Sequence, residues 1–301
     1  MQIDFNEIRN YGNLELLAKQ LVEGFITGLH KSPYHGFSVE FAEHQLYNTG
    51  ESTRHIDWKV YAKTDRLYTK RYEEETNLRC QIVIDNSLSM YYPSENKGKI
   101  AFSIMAAASL AYLLQRQRDA FGLCVFSDKI DLQSEIKSTS THLNTVLQAL
   151  QKLTAQNKPT SETNIASVLH EIAEKNKRRS LVIIFSDMFE STDNLDGIFS
   201  ALQHLKHNKH EVLLFHVNDK STELDFDFED KPHQFIDLES GEKLKIQPAE
   251  LKTIYQNKVA QFHQELRIRC GQLKIDLIET DIRKGYHQIL QSYLIKRRKM
   301  R

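Results

Sequence analysis

Cysteine is scarce. The 301 residues contain three, Cys80, Cys124 and Cys270, and no two are close-spaced. An odd, scattered set does not suit a disulfide framework or a zinc site; it fits small, buried apolar side chains in a reducing compartment. Net charge is also missing, since 40 Lys and Arg offset 40 Asp and Glu. No overall field draws the molecule to nucleic acid or anionic membrane, so such binding would need a local patch. No apolar run reaches the roughly eighteen residues of a membrane span. The longest, residues 100–114, is Ala-rich and reads as a buried core helix. The opening MQIDFNEIRN has neither a basic start nor an apolar h-region, so no secretory signal is expected, and the cytoplasm is the expected location. Enzyme signatures are absent too: there is no Gly-x-Ser-x-Gly, phosphate-binding Walker loop, His-Glu-x-x-His or Gly-x-Gly-x-x-Gly. The 13 histidines are scattered and read as surface or core residues. The chain is therefore read as non-enzymatic.

What is present is an ordinary globular balance, 40% hydrophobic and 27% charged, able to fill a core. Residues 13–30 carry apolar side chains at helical spacing. Residues 32–79 are richer in Gly, Pro, aromatic and basic residues in short strand-like pieces, so residues 1–79 are read as a helix plus an irregular, strand-containing module. Trp58, the single tryptophan, is expected to anchor that module. Residues 80–301 alternate apolar strands (CQIVID, AFGLCVFSD, LVIIFSD, EVLLFHVND, LKIDLIETD) with helices at 99–116, 141–153, 164–176, 193–207 and 249–270, and a last one from residue 285. KIDLQSEIKS alternates like an edge strand, 233–247 like a hairpin, and 223–230 like an edge strand with an acidic outer face. Continuous apolar strands separated by helices predict an α/β fold with a doubly wound, mostly parallel sheet.

In such sheets ligands bind beyond the carboxyl ends of the strands. Asp85, Ser87 and Ser89 fall at one such end, and their alternate spacing in a turn lets one carboxylate and two hydroxyls face one centre. These are hard oxygen donors suited to Mg²⁺ or Mn²⁺. The same triplet also suits a turn and helix cap. Thr163, in a polar loop, and Asp187, at the end of LVIIFSD, would add a hydroxyl and a second carboxylate.

Asp85-x-Ser87-x-Ser89 with Thr163 and Asp187 resembles the metal-ion-dependent adhesion site of von Willebrand factor A-type domains. That resemblance implies a bound divalent ion with an open position taken by a partner's acidic side chain. A closer resemblance, over residues 31–301, is to the bacterial domain-of-unknown-function fifty-eight family, a von Willebrand A-like group. It is carried by Gly36, Ser38, Glu40 and Phe41; by Arg54, Ile56, Asp57 and Trp58; by Ala62, Lys63 and Thr64; and by Glu73, Glu74 and Glu75. Glu223-x-Asp225-Phe226 and Phe235-Ile236-Asp237-x-Glu239-x-Gly241 also resemble family elements. The resemblance implies a MoxR-type AAA+ ATPase as partner, with this chain as adaptor toward client proteins. Two departures stand out: Glu51-Ser52 where the family has two acids, and Ser161-Glu162 where it has glycines before the threonine.

Other classes fit less well. A phosphoesterase with an Asp85 nucleophile would want a second Asp where Ser87 stands. The basic set Arg54, Lys59, Lys63, Arg66, Lys70 and Arg71 could be a nucleic-acid footprint. Glu73, Glu74 and Glu75 follow at once and would blunt it. The closing run Lys296-Arg297-Arg298-Lys299 ends a helix, where cations complement the helix dipole.

Overall fold

The computed structural model describes residues 14–30, 44–46, 58–70, 78–94, 98–155, 165–188, 195–236 and 243–300. Their contacts divide the chain into two compact units, one made of Met1–Phe25 with Leu78–Arg301 and the other of Ile26–Asn77. In the smaller unit, β1 (His44–Leu46) pairs antiparallel with β2 (Tyr68–Lys70), and a short helix, α2 (Trp58–Thr64), lies between them in sequence. Trp58, expected to be an anchor, is 61% exposed and meets Tyr61 of the same helix edge to face at 6.1 Å. Of the basic set, Lys63 and Arg66 are exposed. Arg54, Arg71 and the three consecutive glutamates lie outside the described residues.

The larger unit is built on a six-stranded sheet of β3 (Arg79–Asp85), β4 (Ala120–Phe126), β5 (Ile130–Gln133), β6 (Leu181–Ser186), β7 (Glu211–Asn218) and β10 (Asp276–Asp281), in the order β10-β7-β6-β3-β4-β5. Five strands are parallel; β5 is the antiparallel edge. The central strands are buried almost residue by residue, as a sheet covered on both faces requires. This is the expected α/β, Rossmann-like doubly wound architecture.

One face is covered by α5 (Ile165–Lys175), α6 (Leu195–His207) and part of α7 (Pro248–Gln272). Ile165, Val168, Leu169, Ile172, Ile198, Leu202, Leu205, Leu266 and Cys270 share a core with Val83, Val182, Ile184 and Leu214 of the strands. The other face carries α3 (Gly98–Arg116), which packs against α4 (Ser140–Ala155), β3, β4 and α8 (His287–Lys299). Helix α3 is long and apolar enough to cross a membrane, but 89% of its apolar window is buried in the fold, which marks it as the central core helix. Helix α1 (Leu14–His30) buries Leu14, Leu17, Ala18, Val22 and Phe25, one stripe at helical spacing, and Phe25 meets His287 edge to face at 4.9 Å. The three cysteines are free and buried.

Two features close the larger unit. Arg297 on α8 donates from Nε to Asp119 Oδ2 (2.8 Å) and from Nη2 to Oδ1 (3.1 Å), and the Tyr293 hydroxyl donates to Gln117 Oε1 at 3.0 Å. At the entry to α3, Gly98 has φ +54°, and a Cβ there would fall 2.2 Å from the Tyr92 carbonyl oxygen and 2.6 Å from that of Pro93. Neither backbone atom can yield as a side-chain tip could. Gly98→Ala combines this clash with a left-handed φ, which alone costs a non-glycine residue about 1–3 kcal/mol. Chemical denaturation is expected to show a loss at or above the top of that range.

The stretch after β7 departs from expectation. Residues 223–230, expected as an edge strand, instead leave β7 through a π-helical turn, Lys220–Leu224, and run on without strand pairing; Phe226 is buried with φ +49°. Its ring stacks on Phe235 of β8 (His233–Ile236) at 5.7 Å and contacts Tyr255 of α7 at 4.6 Å. The alternation of rings and acids that mimicked a strand reflects a loop folding its rings into one aromatic cluster. Strand β8 does pair with β9 (Lys243–Ile246), as the expected hairpin.

Candidate metal centre

Strand order fixes where a site can form. From β3 the chain passes through α3 to β4 on one side; from β6 it passes through α6 to β7 on the other. The crevice between the carboxyl ends of β3 and β6 is therefore the switch point of the sheet, where doubly wound folds hold ligands. Asp85 is the last residue of β3, and Asp187 follows the last residue of β6.

The turn after β3 aims its donors by its own hydrogen bonds. Asn86 N–H donates to the Phe126 carbonyl at 2.7 Å, and the Tyr91 hydroxyl donates to Asn86 Oδ1 at 2.9 Å, tying the turn to β4. Met90, Tyr91 and Tyr92 N–H groups donate three residues back to Ser87, Leu88 and Ser89, winding a 3₁₀ turn over Ser89–Tyr91. Ser87 N–H donates to Asp85 Oδ1 at 2.8 Å, and the Ser87 and Ser89 hydroxyl oxygens lie 3.0 Å apart. Neighbouring oxygens around an octahedral Mg²⁺, each at 2.0–2.1 Å, stand about 2.9 Å from one another. The two serines, hydrogen-bonded to each other here, are compatible in spacing with one such shell. Among the described residues there is no group of three or more His, Cys, Asp or Glu placed to hold a metal; the candidate set relies on hydroxyls.

Asp85 and Asp187 are close enough to perturb each other. Burial, then the Asp187 charge, raises the Asp85 carboxyl from 3.8 to about 7, against the lowering effect of hydrogen bonds from Ser186 and Ser87. The Ser186 hydroxyl donates to Asp85 Oδ2 at 2.6 Å and accepts from Met188 N–H at 2.8 Å, joining the ends of β3 and β6. The structure thus brings Asp85, Ser87, Ser89 and Asp187 to one crevice. Thr163 lies outside the described residues, as do Ser161 and Glu162.

Residues 43–265 match the family described as "Protein of unknown function DUF58". The chain belongs to that family. Among curated proteins, uncharacterized proteins of Mycobacterium bovis and Mycobacterium tuberculosis are 25% identical over 206 residues, 68% of this chain and 63% of theirs. The match thus spans less than two thirds of those relatives. Among solved structures, a conserved hypothetical protein BatB from Bacteroides thetaiotaomicron is 13% identical with a TM-score of 0.40, covering 72% of this chain and 99% of its own. An aerotolerance-related membrane protein from Bacteroides fragilis is also 13% identical, with a TM-score of 0.43, covering 73% and 99%.

This DUF58 protein also places residues at the crevice that sequence reasoning missed. Lys99, in the first turn of α3, is 1% exposed; its Nζ donates to Asp187 Oδ2 at 2.8 Å and to Glu223 Oε1. Burial pulls the ammonium toward deprotonation, but the Asp187 and Glu223 carboxylates outweigh it and hold the group charged. Glu223, in the π-helical turn, accepts Asp219 N–H on Oε2 at 2.7 Å. Asp219, itself buried, takes Arg283 Nε at 2.7 Å and Nη2 at 2.9 Å. His216, on β7, donates from Nε2 to the Asp187 carbonyl at 2.8 Å, with Asn218 Nδ2 3.2 Å from its Nδ1. Burial, then the neighbouring His263, lowers it to about 4, so the ring is neutral and the Nε2–H tautomer fits both contacts. A signal for Lys99 existed: it opens a helix that is apolar all round, and such a helix is buried on every side, its lysine included.

Proposed function

We propose that this DUF58 protein is a non-enzymatic, metal-dependent recognition module with a von Willebrand factor A-type adhesion site. Asp85, Ser87, Ser89, Thr163 and Asp187 hold Mg²⁺ or Mn²⁺, and an acidic side chain of a partner protein completes the shell. The single observation behind this is the pair of serine hydroxyls at one-ion spacing beside a carboxylate that burial has stripped of water, at the switch point of the sheet. The bound ion would supply a positive centre that the few carboxylates around it leave incompletely neutralised, which is what draws an anionic partner group. The chain's own contribution is orientation. Ser186 and the Ser87 N–H hold both oxygens of Asp85, and His216 holds the loop that carries Asp187. The resemblance to von Willebrand A-like proteins implies a MoxR-type AAA+ ATPase as the partner, and in this reading the chain acts as a cytoplasmic adaptor toward client proteins.

The test is a pull-down of the ATPase with the intact protein, with and without chelator, alongside Asp85→Ala. Recovery only in the presence of Mg²⁺ or Mn²⁺, and lost in the variant, is expected. Equal recovery with and without chelator would sink the reading, as would Mg²⁺-dependent hydrolysis of an aryl phosphate abolished by Asp85→Ala.

A further inference from the structure

Asp187, after β6, interacts with two other acids at the crevice, Asp85 at the end of β3 and Glu223 in the π-helical turn after β7, although the three do not form one metal-holding cluster. One buried cation, Lys99, bridges two of them, 2.8 Å from Asp187 Oδ2 and in contact with Glu223 Oε1. Nothing in the five-residue recognition motif accounts for Lys99 or Glu223. The ammonium occupies the carboxylate that a divalent ion also needs, and Glu223, fixed through its other oxygen by the Asp219 N–H, holds the same ammonium as a second partner.

We propose that Lys99 and Glu223 are opposed positioning residues that set the divalent-ion affinity of the crevice, Lys99 by competing for Asp187 and Glu223 by drawing Lys99 away from it. The inference rests on the metal reading above. It requires the two residues to act in opposite directions. Without the ammonium, the remaining acids attract a cation more strongly; without the Glu223 charge, Lys99 is left to Asp187 alone and one negative charge is lost.

The experiment is a titration of the intact protein with Mn²⁺, read as loss of the free-ion signal in electron paramagnetic resonance, for wild type, Lys99→Met, Glu223→Gln and Asp85→Ala. Lys99→Met is expected to bind about tenfold tighter than wild type and Glu223→Gln about tenfold weaker, the scale of one charge at a few ångströms in a partly screened site. Asp85→Ala is expected not to bind. If Lys99→Met and Glu223→Gln match wild type within about twofold while Asp85→Ala loses binding, the opposition is wrong and the metal reading stands. If no form binds, both fall. Should Lys99→Met fail to fold, judged by circular dichroism, Glu223→Gln decides: weaker binding supports the proposal, and unchanged or tighter binding overturns it.

Discussion

Asp187→Ala is expected to lower the unfolding free energy by about 3 kcal/mol in metal-free buffer, although it removes a side chain from a binding crevice. Removing one member of a buried ion pair costs about 3–5 kcal/mol, because the charge left behind stays desolvated. The survivor here is Lys99, 1% exposed and 2.8 Å from the lost oxygen. Two features bring the expectation to the low end of that range. Glu223 remains against the ammonium, and the repulsion between Asp187 and Asp85 disappears. The second feature supplies an independent readout, since the Asp85 carboxyl should titrate at lower pH in the variant, as carbon-13 NMR of the aspartate carboxyls would show. A urea-unfolding loss below about 1 kcal/mol, the scale of an exposed pair, would mean that Lys99 is not held as described.

The second large effect concerns pH, where two groups work against each other. Asp85 has its carboxyl raised from 3.8 to about 7 by burial and by Asp187, so the folded protein holds this proton more tightly than the unfolded chain. Its contribution to stability is full below about 4 and is lost as pH rises through about 7. His216 is lowered from 6.5 to about 4 by burial and by His263, so its contribution is full above about 6.5 and is lost as pH falls toward 4. A tenfold change in proton affinity is worth about 1.4 kcal/mol, so each group contributes roughly 2–4 kcal/mol at most. Between pH 4.5 and 6.5 they largely cancel in the metal-free protein. Separating them is direct. Asp85→Asn should leave a protein that is more stable than wild type by about 1–3 kcal/mol at pH 8 and that weakens on acidification. His216→Gln, which keeps a donor for the Asp187 carbonyl, should weaken as pH rises instead. Urea unfolding at pH 4.5, 6.5 and 8, with chelator throughout, measures all three. Parallel pH profiles would refute both assignments. Because divalent ions need ionised carboxylates, Mn²⁺ should also raise the wild-type melting temperature more at pH 8 than at pH 6.

The frame was legible because burial on both faces leaves a plain mark. CQIVID, FGLCVF, LVIIFS and VLLFHV carry continuous apolar runs, and the helices between them carry their own stripe. The strand order was not legible, and without it Asp85 and Asp187 are only two strand-end acids 102 positions apart. The serine spacing could be read because turn geometry is local. The pairing of Lys99 with Glu223 could not, since 124 positions separate them and only the fold brings them together. Residues 223–230 misled for a physical reason: alternation reports which side chains share a side, and a loop wrapped over an aromatic cluster produces the same period as a pleated strand. Thr163 and Asp187 stand out by their loop and strand-end positions, and the match over residues 43–265 secures family membership.

The clamp between Arg297 and Asp119 has a consequence for biosynthesis. A growing chain exposes the Asp119 carboxylate 178 residues before the guanidinium that neutralises it. A product ending between residues 282 and 296 would possess every strand of the large sheet, together with Asp85, Ser87, Ser89 and Asp187, yet would leave the buried Asp119 carboxylate without Arg297. The Asp119 carboxylate therefore gains its guanidinium partner only once α8 has been made.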